Sequence, residues 1–93
     1  MSHTYTKLLF HMVFSTKNRV PCVTGDLRPR LHAYLGGIVR ELHGTALIVG
    51  GTADHVHLAV GLPANLAVAD ALRVVKTNSS RWVHQQWPDR ASF

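Results

Sequence analysis

The segment at residues 55–62 reads HVHLAVGL and alternates between two kinds of side chain. Its even-numbered positions are Val or Leu, and its odd-numbered positions include His55 and His57. Because successive side chains of a β-strand point to opposite faces, this alternation predicts a strand with one face in a core. The other face would carry both histidines. Such a strand needs neighbouring strands to pair with and further elements to cover its apolar face.

The first half of the chain predicts a strand followed by a helix. In residues 6–15, the apolar residues Leu8, Phe10, Met12 and Phe14 recur at every second position and form the core side, and residues 16–25 form a basic loop. We expect Asp26 to cap the helix and Gly44 to end it in a left-handed conformation. The apolar stripe of this helix consists of Leu27, Leu31, Leu35, Ile38 and Leu42.

The second half predicts two short strands and a long helix. The strands cover residues 46–50 and 55–62, with a turn at residues 51–54. The helix starts after residues 63–65 and runs to about Trp87, where Pro88 stops it. Its predicted apolar stripe contains Leu72, Val75, Ser79, Trp82 or Val83, and Gln86. Its polar flank contains Arg73, Lys76, Ser80 and His84.

The resulting order, β-α-β-β-α, matches the first five elements of a ferredoxin-like sandwich. This α+β class has helices on one face of an antiparallel sheet and leaves the other face open. We expect residues 1–93 to form a single domain that lacks the final strand of that fold and is therefore incomplete at its C-terminus. Because the final strand pairs with the first, the first strand would keep an unpaired edge, and we expect either a homodimer or aggregation through this edge.

Composition restricts the class of protein. The chain has 93 residues, 10 Lys+Arg against 5 Asp+Glu, and a single cysteine. A dinucleotide-binding fold needs more chain, and Cys22 alone forms neither an internal disulfide nor a cysteine-based zinc site. No segment has the ~20 apolar residues of a membrane span, so we expect a cytoplasmic protein without a membrane partner. The net charge of +5 favours a polyanion such as nucleic acid, although a basic domain without such a partner is an open alternative.

The histidines are the candidate metal ligands. His55 and His57 share a strand face, so two imidazoles can hold one divalent metal ion and leave coordination positions open. Mn²⁺ or Zn²⁺, and less naturally Mg²⁺, suit such a site, where the metal would polarise a phosphoryl oxygen. His11 lies on the same open face of the first strand and could orient a ligand. Asp54 is expected to set the turn, and the alternative for all three histidines is a structural role.

Basic residues and short hydroxyl side chains are the candidate contacts to nucleic acid. Such groups bind phosphates, but a charged helix face is more often simply solvated. The aromatic residues Tyr5, Tyr34, Trp82 and Trp87 could stack on bases, but the sequence does not place them on one surface. The DNA-binding residues predicted from the sequence are Lys17, Arg19, Arg73, Lys76, Ser80 and Arg81.

Three segments resemble the single-tyrosine HUH transposases of small bacterial insertion sequences, which include the REP-associated type. TKLLFHMVFSTKNR at residues 6–19 resembles the opening of that family. ADHVHLAV at residues 53–60 is similar to its metal-binding strand, where HUH means His–hydrophobic–His. VVKTNSSRW at residues 74–82 resembles its Lys-x-x-Ser-Ser helix segment. The segments occur in the family's order and together extend over most of the chain.

The resemblance implies DNA transposition by strand cleavage and rejoining on single-stranded or hairpin DNA. A divalent metal, Mg²⁺ or Mn²⁺, bound by His55 and His57 and by a third ligand would position a phosphate. A tyrosine would attack that phosphate and become linked to the 5′ end of the cut strand. Family members act as dimers.

The resemblance does not extend to the nucleophile. The family's tyrosine lies on a helix beyond a last strand, and neither Tyr5 nor Tyr34 matches that position. We therefore expect a truncated transposase domain that binds metal and DNA but has no catalytic tyrosine or third ligand of its own. Two alternatives stay open: a metal-dependent nuclease that uses water, and a noncatalytic RNA- or DNA-binding module with a sheet like that of RNA-recognition domains.

Overall fold

The protein forms an antiparallel sheet covered by two helices. The computed structural model describes residues 7–93, so Tyr5 and Thr6 lie outside the described part. The elements are β1 (Lys7–Ser15), α1 (Leu27–Glu41), β2 (Thr45–Gly51), β3 (His55–Pro63) and α2 (Val68–Gln86). The strand order is β1-β3-β2, and both pairings are antiparallel. The predicted α+β class, element order and pairing of the first strand with the third are confirmed.

Strand β3 lies in the centre of the sheet, and its alternation has the predicted consequence. Val56, Leu58, Val60 and Leu62 are almost fully buried. They pack in one core cluster with buried residues of α1 and α2, so the helices cover this face. At ~25 cal/mol per Å² of apolar area removed from water, this burial is the main favourable contribution to folding. The histidines of β3 lie on the opposite face and are only partly buried.

Strand β1 is less buried than its alternation predicts. Met12 is buried, Phe10 and Phe14 are partly buried, and Leu8 is 45% exposed. The reason is its place in the sheet: among the described strands, β1 pairs only with β3 and forms an edge. The core therefore covers the middle of β1 better than its beginning.

The N-terminal end of α1 differs from the expectation. Asp26 stands at the N-cap position, but its side chain makes no capping hydrogen bond, and its backbone is already helical, with φ −72° and ψ −20°. An N-cap side chain reaches the first free N–H groups from extended backbone, which explains the difference. The guanidinium of Arg28 instead donates to the Val23 carbonyl at 3.1 Å and fixes the chain before the helix.

The C-terminal end of α1 also corrects the sequence prediction. The left-handed residue is His43, with φ 62°, and not Gly44. Gly44 is constrained by space, since a Cβ there would lie 2.7 Å from the Gly61 carbonyl oxygen and 3.1 Å from a Val39 methyl. This glycine allows the helix end to approach β3 closely.

Helix α2 starts later than predicted, at Val68, and ends at Gln86. Its buried stripe is Ala71, Val75, Ser79 and Val83. The predicted Gln86 is exposed and does not belong to this stripe. The hydroxyl of the buried Ser79 donates to the Val75 carbonyl at 2.6 Å, so this polar group is satisfied inside the core. No helix within residues 7–93 is both long and apolar enough to cross a membrane.

Candidate metal and nucleic-acid site

Two histidines of β3 stand side by side on the open face of the sheet. The ring centroids of His55 and His57 are 6.4 Å apart, and both side chains are partly exposed. In the register between the strands, Ser15 of β1 lies opposite His55, and Val13 lies opposite His57. The pair therefore lies near the C-terminal end of β1, where solvent can reach both rings.

The third histidine of this face, His11, contacts one member of the pair, as the face assignment predicted. Its Nε2 lies 3.3 Å from Nδ1 of His57, and the ring centroids are 5.3 Å apart. A hydrogen bond between two imidazoles needs one donor and one acceptor. When His57 donates from Nδ1, its Nε2 has a free lone pair directed away from His11.

The other member of the pair is held by a carboxylate. Nδ1 of His55 lies 2.6 Å from Oδ1 of Asp54, and the same oxygen accepts a hydrogen bond from the Thr52 hydroxyl at 2.9 Å. The hydrogen bond with His55 holds the pKa of Asp54 below its usual range, and the bond from Thr52 and the charge of Arg19 add to this effect. Asp54 thus sets the turn, as predicted, and also binds the first histidine of β3.

The donor set fits an open divalent site. Both imidazoles have Nδ1 in a hydrogen bond, which leaves Nε2 of each ring for a metal ion. Within residues 7–93, no group of three or more His, Cys, Asp or Glu side chains is arranged to hold a metal. Further ligands at such a site would therefore come from water, from a phosphate or from another chain segment.

A cleft of about 500 Å³ lies between α2 and the end of β1. Lys76, Ser80 and His84, spaced one helical turn apart as the polar flank predicted, line it together with Arg81. Its opposite wall includes Ser15, the residue that lies opposite His55 in the sheet. In the described part of the chain, neither Lys76 nor Arg81 forms an ion pair with an acidic side chain. The cleft is thus positively charged and lies at the same end of the sheet as the histidines.

The other predicted basic residues, Lys17, Arg19 and Arg73, do not line this cleft. Lys17 and Arg19 lie in a short 3₁₀ turn directly after β1, where Arg19 has a left-handed φ of 56°. Arg73 lies one turn before Lys76, in a shallower groove, and has a long contact of 3.9 Å with Asp70. An exposed pair at that distance contributes little, so Arg73 can also contact an anion.

Three of the aromatic residues considered for base stacking, Tyr34, Trp82 and Trp87, form a cluster between the helices and are not on the sheet. Tyr34 of α1 stacks on Trp82 of α2, and Trp87 meets the edge of Trp82. The open face of the described strands carries no Phe, Tyr or Trp. Base-stacking sheets of RNA-recognition domains depend on such aromatic residues, so this face does not favour that alternative.

Sequence reasoning missed two contributors to the site. The contact between Asp54 and His55 was overlooked, although a carboxylate next to a candidate ligand is a signal that the sequence contains. Phe93 lines the cleft and meets Phe14 edge to face, with ring centroids 6.4 Å apart. Nothing in the sequence pairs residues 79 positions apart, because their contact exists only after the chain has folded.

Comparisons with known proteins match the chain to one protein family. A family described as "Transposase IS200 like" matches residues 4–93. The transposase for insertion sequence element IS200 of Salmonella typhimurium is 25% identical over 89 residues, and the IS200 transposase of Salmonella typhi has the same identity. These alignments cover 96% of this chain and 59% of each relative, so the chain spans less than two thirds of their length.

The fold has a close structural counterpart. A crystal structure of a protein from Deinococcus radiodurans, described as a candidate transposase, superposes with a TM-score of 0.88 at 21% identity. The superposition covers 96% of this chain and 68% of that one. At this identity, the likeness establishes a shared fold.

Proposed function

Because this chain belongs to the family of IS200-like transposases, we propose that it is a transposase domain of the HUH type that binds a divalent metal ion and single-stranded or hairpin DNA. One observation carries the proposal: two imidazoles with free Nε2 atoms lie at the same end of the sheet as a positively charged cleft. Metal ligands beside phosphate-binding groups are the arrangement that phosphoryl chemistry needs.

His55 and His57 are the proposed ligands of Mg²⁺ or Mn²⁺. Imidazole nitrogen suits Mn²⁺ better than Mg²⁺, which prefers oxygen ligands. When bound, the ion supplies Lewis-acid polarisation of a phosphoryl oxygen. His11 orients His57 through their hydrogen bond, and the partial exposure of the pair leaves room for a phosphate.

The DNA backbone is proposed to follow the cleft. Lys76 and Arg81 supply positive charge and Ser80 supplies a hydroxyl donor, a combination that binds phosphate oxygens without reading the base. Lys17, Arg19 and Arg73 would extend the contact to neighbouring phosphates on either side. Because the cleft lies at the same end of the sheet as His55 and His57, a strand in the cleft could present one phosphate to the metal.

Strand cleavage and rejoining is proposed as the activity of the family's complete enzyme. Tyr34 stacks against Trp82 between the two helices, which cover the face of the sheet opposite the histidines. This tyrosine is therefore not placed to attack a phosphate beside His55 and His57. We assign no nucleophile within residues 7–93.

A homodimer is proposed through the edge of β1. Within the described residues, β1 pairs only with β3, and Leu9 on its open face is 72% exposed. An exposed apolar edge strand favours pairing with a second strand, and a lysine side chain opposes such pairing. We expect Leu9→Lys to lower the dimer fraction in light scattering, whereas Arg40→Ala on α1 leaves it unchanged. An equal monomer fraction in both variants would exclude this interface.

Metal binding tests the proposed site directly. Calorimetric titration with Mn²⁺ should show that His57→Ala weakens binding by at least tenfold, about 1.4 kcal/mol, while the circular dichroism spectrum stays unchanged. His84→Ala, which removes an imidazole from α2, is the matched control and should bind like the parent. Equal affinities for all three proteins would remove His57 from the site and favour the noncatalytic binding module.

DNA binding and cleavage are tested with labelled single-stranded hairpins in the presence of Mn²⁺. A shift on a native gel without a product on a denaturing gel supports a binding domain that has no nucleophile of its own. A cut strand without an adduct favours a nuclease that uses water. A denaturation-resistant adduct would mean that a hydroxyl of this chain attacks DNA and would overturn the assignment of no nucleophile.

A further inference from the structure

We propose that Asp54 is a positioning residue that holds His55 in the tautomer with the proton on Nδ1 and thereby presents Nε2 to the metal. The metal in this inference rests on the proposed function. The tautomer of His55 depends only on residues of this chain. The inference assigns a second role to a residue whose sequence context indicated only a turn.

The hydrogen bond determines which nitrogen carries the proton. Nδ1 of His55 lies 2.6 Å from Oδ1 of Asp54. An ionised carboxylate only accepts hydrogen bonds, so the facing ring nitrogen must be the donor. In a neutral imidazole the other nitrogen, Nε2, then has the lone pair that a metal needs.

The backbone around Asp54 fixes the carboxylate in place. The Thr16 N–H donates to the Asp54 carbonyl at 2.9 Å and ties the turn to the end of β1. On the other side, the Thr52 N–H donates to the His55 carbonyl at 3.1 Å. A Cβ at Gly51, which has φ 142°, would collide with that same carbonyl oxygen, so the tight turn requires glycine there. The carboxylate therefore has little freedom to leave the ring.

The geometry favours positioning over direct ligation by Asp54. Oδ1 already accepts from two donors, His55 Nδ1 and Thr52 Oγ1. Asp54 also belongs to no group of three potential ligands within the part of the chain that the structure describes. A carboxylate bound to the far nitrogen of a metal-ligating histidine fixes its ring orientation and raises its basicity.

The rings of His55 and His57 would then be oriented in the same manner, each through a hydrogen bond at Nδ1. His11 occupies Nδ1 of His57, and Asp54 occupies Nδ1 of His55. When His57 donates from Nδ1 to His11, both rings present the lone pair of Nε2. The difference is charge: the partner of His55 is an anion, which favours a cation at the site.

The tautomer can be measured without any metal. In the metal-free protein at a pH where His55 is neutral, long-range ¹H–¹⁵N NMR should show the proton on Nδ1. Asp54→Ala should move the His55 proton largely to Nε2. Asp54→Asn should keep it on Nδ1, because the amide oxygen can still accept. A parent with the proton on Nε2, or an Asp54→Ala protein with an unchanged tautomer, would overturn the proposal.

Thr52→Ala separates positioning from turn formation. It removes the hydroxyl bond to Asp54 but leaves the carboxylate next to His55 and the backbone bond of residue 52 in place. If Asp54 positions His55, then Asp54→Ala should weaken Mn²⁺ binding about 10- to 100-fold, and Asp54→Asn and Thr52→Ala much less. Equal losses for Asp54→Ala and Thr52→Ala would mean that only the turn matters and would overturn the positioning role.

The NMR measurement and the Mn²⁺ titration distinguish failure of the Asp54 proposal from failure of the proposed metal site. A parent that binds no Mn²⁺ but has the Nδ1 tautomer would refute the proposed metal function and leave the Asp54–His55 relationship standing. A parent that binds Mn²⁺ with unaltered affinity after Asp54→Ala would support the metal site and refute the role of Asp54. Thermal unfolding of each variant shows that the compared proteins are folded.

Discussion

The indole of Trp82 lies flat on the ring of Tyr34, with 4.4 Å between the ring centroids and 8° between the ring planes. This stack joins α2 to α1, and both rings pack against the buried core. Trp87 adds an edge-to-face contact, and the guanidinium of Arg30 lies 4.7 Å from the centre of the Trp87 ring. The cluster uses residues that sequence reasoning considered for base stacking, and their faces are occupied by one another.

The stack predicts an energetic coupling between the two helices. In a double-mutant cycle with Tyr34→Leu and Trp82→Leu, we expect a coupling energy of about 0.5–1.5 kcal/mol, because stacked rings contribute beyond their buried area. Urea unfolding measures it. A cycle of Tyr34→Leu with Val13→Ala, on the open face of β1 away from the helices, is the control and should be additive. Additivity in the first cycle as well would show that the rings contribute burial alone.

Gly44, just after α1, and Gly36, inside α1, should respond oppositely to substitution by alanine. A Cβ at Gly44 would meet the Gly61 carbonyl oxygen at 2.7 Å, so Gly44→Ala should destabilise the protein by about 1–3 kcal/mol. A Cβ at Gly36, inside α1, meets nothing within 4 Å, so Gly36→Ala should stabilise by about 0.5–1 kcal/mol. Chemical denaturation compares the two variants. A neutral Gly44→Ala would show that the helix end can move away from β3.

The left-handed residue after α1 is a target for stabilisation. His43 has φ 62°, a conformation that costs a residue with a Cβ about 1 kcal/mol relative to glycine. We expect His43→Gly to raise the free energy of unfolding by about that amount. Ala33→Gly, at an exposed position inside the helix, is the comparison and should lower it by about 1 kcal/mol. The idea fails if both variants lose stability to the same extent.

Salt dependence identifies the phosphate contacts. Lys76→Ala and Arg81→Ala should each weaken binding of a single-stranded hairpin and reduce the slope of log K against log salt by about one. Arg40→Ala removes a cation from an exposed site on α1 and should leave the slope unchanged. Fluorescence anisotropy at several salt concentrations measures all three. An unchanged slope for Lys76→Ala would make this face of α2 a solvated surface.

One histidine outside the site should make stability depend on pH. Burial, with a smaller effect of the Arg28 charge, lowers the pKa of His32 below its usual value. Between the lowered pKa and about 6.5, the unfolded chain then binds more protons than the native chain, so stability falls as the pH falls through this window. His32→Gln should lose less stability than the parent between about pH 7.5 and about pH 5.5. The exposed His84→Gln is the control, and an identical loss in parent and His32→Gln would exclude this effect.

The sequence predicted the elements better than their ends. Alternation in β3 and the stripe of α1 follow from side-chain periodicity, which is local, and both appear in the structure. The predictions for the two ends of α1 were wrong. The role of Asp26 depends on its backbone conformation, and the role of Gly44 depends on the neighbouring strand β3. The burial of β1 was overestimated, because an alternating pattern does not show that a strand lies at the edge of the sheet.

For the candidate site, the spacing of His55 and His57 and the shared face of His11 were contained in the sequence, since strand alternation determines both. The distance between His11 and His57 was not, because it depends on the register that pairs β1 with β3. The order of elements, the core face of β3 and the family were thus determined by the sequence itself, through local periodicity and matching segments. Only the tertiary structure decided that Asp54 binds Nδ1 of His55 and that Lys76 and Arg81 face a cleft beside the same strand end. Contacts of this kind join side chains whose positions are set by packing, and packing involves the whole chain at once.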